Sequence, residues 1–266
     1  MNVSRETKTN IWSVVNQKGG VGKTTTAVNL GTALAAMGER VLLIDLDPQG
    51  NASTAVGVTP DNRDNNIYDF IISDINEKYN KFTRKTLIPN LHIIVGHIDL
   101  SGVDIELYNA DDKMYILKQK INLLKQNYDY ILIDCPPSLG FLTVNSMCAS
   151  NGVLVPLQCE FFALEGLSQL LHTVEKIQAN LNSELDIEGI VLTMFDQRNR
   201  LSNHVSDDVR KYLGEMVYNT VVPRNVRLSE APSYGKPALI YDVHCAGSQA
   251  YLRLAKEIKM RQLEKV

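Results

Sequence analysis

The chain has 266 residues, 44% hydrophobic and 21% charged, with a formal net charge of -3. That composition supports a large buried core and excludes bulk disorder, while the acidic balance excludes a wholesale nucleic-acid binder, so any polyanion site has to be a local patch. The four cysteines, Cys135, Cys148, Cys159 and Cys245, include no Cys-x-x-Cys pair, and only Cys245 has a histidine beside it, so neither a disulfide framework nor a zinc site is expected.

Residues Met1 to Asn10 are polar and charged, and no apolar run approaches the length that spans a bilayer, which gives a cytoplasmic expectation. In chain order the patterning predicts a strand at Ile11–Asn16, a helix at Thr24–Met37 and a strand at Val41–Asp45. The Asn/Asp-rich stretch Thr59–Asn66 reads as a surface loop. Strands follow at Leu91–Val95, Tyr130–Asp134, Val153–Leu157, Ile187–Met194 and Thr220–Val222, with helices at Asp104–Gln126, Leu164–Asn180, Asn203–Leu213 and Ser248–Leu263. Runs such as Val41–Ile44 and Tyr130–Ile133 are apolar on both faces, as a strand covered on each side by helices requires. The expectation is an α/β fold, a mainly parallel twisted sheet with helices on both faces, in one domain spanning residues 1–266.

The first predicted strand runs into Lys18-Gly19-Gly20-Val21-Gly22-Lys23-Thr24-Thr25, a glycine-rich turn that opens a helix. In a strand–loop–helix of this kind, free backbone N–H groups and the helix dipole face an anion. Lys23 then supplies a cation to the β- and γ-phosphates and the Thr24 hydroxyl a ligand to Mg²⁺. The ordinary P-loop pattern has glycine where this chain has Gln17, and here a second lysine, Lys18, heads the loop.

This deviant Walker A form resembles the ParA/MinD family of ATPases, and more narrowly its small chromosomal ParA (Soj) branch. The resemblance extends over nearly the whole chain: Val41–Asn51 (VLLIDLDPQGN) looks like the family's switch segment, Tyr130–Pro137 (YILIDCPP) like its Walker B strand, and Pro156–Gly166 and Val222–Pro232 match its ParA side. It implies ATP and Mg²⁺ as cofactors and an ATP-dependent sandwich homodimer, in which Lys18 reaches the phosphates of the partner's nucleotide.

Asp47 and Asp134 follow or end predicted strands, so both belong at the carboxyl edge of the sheet, where such folds bind ligands. By resemblance Asp47 positions or polarises the attacking water and Asp134 holds Mg²⁺ through a coordinated water. Asp45 is either a further partner of that site or a strand-end cap. Pro136 and Pro137 fix an extended exit from the Walker B strand. Pro223 and Asn225 match positions that flank the adenine in the family.

Between Phe195 and Lys236 seven basic residues face five acidic ones, which by composition alone is a solvated face of interspersed charge. By resemblance, Arg198 and Arg227 match arginines that hold double-stranded DNA non-specifically in the dimer, and a ParB-like protein stimulates hydrolysis. The implied location is on the nucleoid in the bacterial cytoplasm, with no membrane expected. Three rivals stand beside this reading. A MinD-like membrane ATPase would use a basic amphipathic tail, here Tyr251–Val266 with Leu254, Ile258, Leu263 and Lys265. An iron–sulfur reductase on the same scaffold would need a cysteine pair, and an operator-binding repressor an N-terminal recognition domain.

Overall fold

The computed structural model describes residues 9–74 and 79–264. Its strands are β1 (Asn10–Val14), β2 (Val41–Asp45), β3 (Arg84–Lys85), β4 (Leu91–Ile94), β5 (Tyr130–Asp134), β6 (Gly152–Gln158) and β7 (Asp186–Thr193). Its helices are α1 (Lys23–Ala36), α2 (Asn51–Ala55), α3 (Ile67–Ile72), α4 (Val103–Glu106), α5 (Ile116–Asn122), α6 (Phe141–Ala149), α7 (Ala163–Asn180), α8 (Arg200–Leu213), α9 (Val226–Glu230), α10 (Ala238–Tyr241) and α11 (Ala246–Glu264).

The strands form one seven-stranded sheet in the order β3-β4-β2-β5-β1-β6-β7. Every pairing is parallel except β3 with β4, which is antiparallel at the edge. Side chains alternate across the sheet, so its apolar strands feed two cores. Trp12, Val14, Val41, Leu43, Tyr130 and Leu132 pack under α1 and α11 on one face. Ile11, Leu42, Ile44, Ile131 and Ile133 pack under α5, α6 and α7 on the other.

The register is what positions the site. Val14 and Asp45 both pair with Asp134, so the carboxyl ends of β1, β2 and β5 are level. The glycine-rich loop leaves β1 beside those two carboxylates.

Three expectations need correction. Asp104–Gln126 is not one helix: Asp112 takes a left-handed φ of 57°, and the stretch divides into α4, α5 and short 3-10 turns at Lys113–Tyr115 and Lys125–Asn127. Thr220–Val222 is not a strand; its flanks make only the isolated bridges Ile190–Val217 and Phe195–Pro223, because the Asn219 and Thr220 N–H groups turn instead to the Glu257 carboxylate on α11, at 2.7 and 2.8 Å. Thr59–Asn66 is not wholly a surface loop, since Arg63 and Asn66 within it are buried.

Candidate functional site

The loop from Lys18 to Gly22 needs glycine for conformational reasons. Gly20 and Gly22 have φ of 74° and 89°, a region that L side chains rarely adopt. Gly22 opens α1 with no side-chain cap, which leaves the first N–H groups of the helix facing the loop without a side-chain partner. The loop is tied down elsewhere. Asn16 accepts from the Lys18 N–H at 2.9 Å and donates to the Pro156 carbonyl at 2.8 Å. Gln17, in place of the usual glycine, donates to Gly166 and Gln169 on α7 at 3.2 and 2.9 Å. Thr193, at the end of β7, donates to the Val21 carbonyl at 2.8 Å.

The two lysines behave differently. Lys23 is buried and folds across the loop to the Lys18 carbonyl at 3.0 Å. Burial holds its ammonium below the ordinary value, with Asp134 pulling the other way. Lys18 stays half-exposed and pairs with Glu160, in the loop between β6 and α7. Within this single chain the second lysine therefore points to Glu160 and away from the cradle that Lys23 crosses.

Asp45 and Asp134 are both fully buried and lie side by side. One oxygen of Asp45 accepts from the Ser53 N–H and hydroxyl at 2.7 and 2.6 Å, so it caps the short α2. Its other oxygen, and both oxygens of Asp134, have no hydrogen-bond partner among the described residues. Burial raises Asp134 well above the carboxylate range, Asp45 raises it further, and Thr24 and Lys23 act in the opposite sense. Burial likewise pushes Asp45 up to about 6. Unpartnered buried carboxyl oxygens are costly, and here they flank the Thr24 hydroxyl and the open end of a helix. A hard divalent cation held by one carboxylate, one hydroxyl, phosphate and water fits this donor set. No group of three or more His, Cys, Asp or Glu side chains forms an all-protein metal cage among the described residues.

Asp47 is also buried and shapes its own turn: its carboxylate accepts from the Gln49 N–H at 2.9 Å and its carbonyl from the Gly50 N–H at 2.9 Å. Pro223 and Asn225 line a cavity of about 380 Å³ whose wall also includes Gly20, Gly22 and Thr25. The Asn225 side-chain oxygen caps α9 through the Arg227 N–H at 3.0 Å, which leaves its amide N–H₂ for a ligand edge. Met194, with a φ of 48°, lines the same cavity. Neither Thr193 nor Met194 stood out in the sequence, although backbone strain of this sort gathers at functional sites.

Arg198 and Arg227 sit on neighbouring segments that the Phe195–Pro223 bridge and an Arg224 N–H to Phe195 carbonyl bond of 3.2 Å bring together. Both are already paired. Arg198, with its side chain 90% exposed, forks onto Asp196 with two contacts of 3.0 Å. Arg227 donates to Glu230 at 2.8 Å and lies 3.6 Å from Asp242.

The features on which two rivals depended are otherwise engaged. Helix α11 buries Tyr251, Leu254, Ala255 and Ile258 in the core it shares with α1, so the apolar side chains of a membrane-binding tail are largely occupied; Leu263 is exposed and Lys265 lies outside the described residues. No helix among the described residues is long and apolar enough to cross a membrane. Cys135 is buried against Ser146 with its thiol pushed up to about 12, the reverse of a cluster ligand.

A family model described as an AAA domain matches residues 9–187. The chain is 54% identical over 257 residues to the chromosome partitioning protein ParA of Caulobacter vibrioides, with 96% of each chain covered. It is 50% identical over 247 residues to the chromosome-partitioning ATPase Soj of Treponema pallidum, covering 93% of this chain and 96% of that one. Among solved structures it is similar to the septum site-determining protein MinD of Pyrococcus horikoshii, complexed with Mg-ADP, with a TM-score of 0.77, 29% identity and coverage of 94% and 96%.

Proposed function

Since this chain belongs to the ParA/Soj family of chromosome-partitioning ATPases, we propose that it binds and cleaves ATP with Mg²⁺, pairs with a second copy around the nucleotide, and in that state coats double-stranded DNA without regard to sequence. The observation that carries this reading is the fully buried Asp134 carboxyl, unpartnered at the mouth of a helix whose first N–H groups have no side-chain cap. The Mg-ADP in the similar MinD structure supports the same assignment.

In this reading the loop amides and Lys23 hold the phosphates, Thr24 and Asp134 hold Mg²⁺, and Pro223 and Asn225 receive the base. The cation neutralises charge on the phosphate oxygens. Asp47 orients the attacking water, for phosphoryl transfer asks the protein mainly for positioning and charge neutralisation. Lys18 leaves Glu160 to reach the partner's nucleotide. Doubling the arginine pair about a two-fold axis then makes weak phosphate contacts effective together, so ATP gates DNA binding. A centromere-bound partner of the ParB kind stimulates cleavage and releases the dimer, which moves DNA cargo in the bacterial cytoplasm at the nucleoid.

Duplex-DNA retention measured with ATP, ADP and no nucleotide across a salt series tests this. Retention appears only with ATP, is indifferent to sequence, and falls steeply with salt because condensed counterions are released. Equal retention in all three states, or none with ATP at low salt, would sink the DNA assignment.

A further inference from the structure

The polar stretch between α2 and α3 buries one cation, Arg63, which is 8% exposed. Among the described residues its hydrogen bonds go to neutral oxygens: Nη2 donates to the Gly50 carbonyl and the Thr54 hydroxyl, each at 2.8 Å, and Nη1 to the Gly96 carbonyl at 3.4 Å. Its Nε has no partner. Taking a guanidinium out of water is expensive, and an apolar side chain would fill the space more cheaply. What only the planar fork supplies is a simultaneous link among three segments.

Each anchor bears on the proposed reaction. Gly50 closes the turn that begins at Asp47, with its N–H on the Asp47 carbonyl at 2.9 Å. Its φ is 63°, and a Cβ there would lie 1.8 Å from Arg63 Nη1, so the turn and the guanidinium are packed against each other. Thr54 belongs to α2, whose Ser53 holds Asp45. Gly96, after β4, donates to the Ser53 hydroxyl at 2.8 Å, and a Cβ there would come within 2.9 Å of the Asp47 carbonyl oxygen. Attraction to the Asp45 carboxylate adds to these links. Arg63 does not line the cavity of Pro223 and Asn225.

We propose that Arg63 is a positioning residue for ATP cleavage: by gripping the Gly50 carbonyl from behind, it fixes the Asp47–Gly50 turn so that the Asp47 carboxylate meets the attacking water, without itself touching nucleotide. This rests on the reading that Asp47 orients that water.

The test uses Arg63→Met and Arg63→Lys in the full chain, with MgATP affinity from equilibrium binding and cleavage from single turnovers. For Arg63→Met we expect affinity within about threefold of the unsubstituted chain and cleavage slower by roughly 10- to 100-fold, the scale on which an ångström of misplacement acts. Arg63→Lys keeps the charge beside Asp45 and one bond to Gly50, so part of the rate returns; it also secures the test if the methionine variant folds poorly. In an Asp47→Ala background Arg63→Lys adds no further loss, a non-additivity that general loosening of the fold would not produce. Unchanged cleavage by both variants, affinity and cleavage falling together, or full additivity with Asp47→Ala would each overturn the assignment of Arg63. An unsubstituted chain that binds but never cleaves ATP overturns the functional reading itself, and is told apart by that control.

Discussion

Asp45 and Asp134 show what the site demands of single residues. Two carboxyls side by side in the interior favour the protonated form, so the folded chain holds protons there that the unfolded chain releases. For Asp45 the unfolded value is about 3.9 and the folded value about 6. The stability this group contributes is therefore complete below pH 4 and is lost as pH rises through about 6, and Asp134, raised chiefly by the same burial, acts in the same direction. Asp134→Asn, which cannot ionise, should stabilise the nucleotide-free chain at neutral pH by about 0.5–2 kcal/mol, as relief of strain at a functional site commonly does. In chelator its denaturation midpoint should also vary less with pH, and Mg-nucleotide should no longer raise it. A less stable Asp134→Asn chain at pH 7.5 would contradict the charge argument. The glycines of the loop were legible in the sequence because positive φ leaves few alternatives to that residue, and the spacing of Lys23 and Thr24 identified the rest. Arg63 and Thr193 were not, because their partners, backbone carbonyls and for Arg63 also the Thr54 hydroxyl, lie outside any local spacing that a sequence pattern announces.

At the scale of elements, the strands buried on both faces were read closely: β2 and β5 have the expected limits, and α7 begins one residue early. Two of the three misreadings lie at this scale and have physical causes. Asp104–Gln126 carries enough helix formers to look continuous, but Asn109–Asp112 offers the backbone local alternatives that end a helix. Thr220–Val222 has β-branched residues but no continuous ladder, since Glu257 takes the Thr220 N–H and, of the segment's N–H groups, the Val222 N–H reaches β7 at Leu192. That makes Glu257 a structural pin. Burial alone would raise its carboxyl, and the Asn219 and Thr220 N–H groups together with Arg261 hold it below its usual value instead. Glu257→Ala leaves two backbone donors unsatisfied in a half-buried site, so we expect a loss of about 1–3 kcal/mol. Denaturant unfolding measures it, and Glu257→Gln, whose side-chain oxygen still accepts, should recover part. If alanine and glutamine variants unfold alike, at the midpoint of the unsubstituted chain, the segment leading to Pro223 is held by something else.

The whole molecule poses a problem that one chain does not solve. A net charge of -3 opposes approach to DNA, and the two arginines proposed to grip it are each matched by a carboxylate. Neither a partner copy nor a ParB-like surface could be read from residue patterning, because an interface between chains leaves no periodicity in either; only the placement of Lys18 at the head of the loop hinted at one. In the proposed reading Lys18 is therefore the residue at which pairing of two copies can be removed without disturbing the fold. Its ion pair with Glu160 is exposed on both sides, with side chains 48% and 44% accessible, and such pairs contribute about 0–1 kcal/mol. Lys18→Ala should accordingly melt within about 4 °C of the unsubstituted chain, since a kilocalorie shifts a chain of this size by roughly 2–4 °C. It should still bind nucleotide, because Lys23 and the loop amides remain. At saturating MgATP, however, light scattering should report a monomer, and ATP-dependent DNA retention should be lost at every salt concentration, since the arginines of one copy no longer act with those of a second. A Lys18→Ala chain that dimerises normally with ATP would mean that two copies close around the nucleotide through contacts other than this lysine.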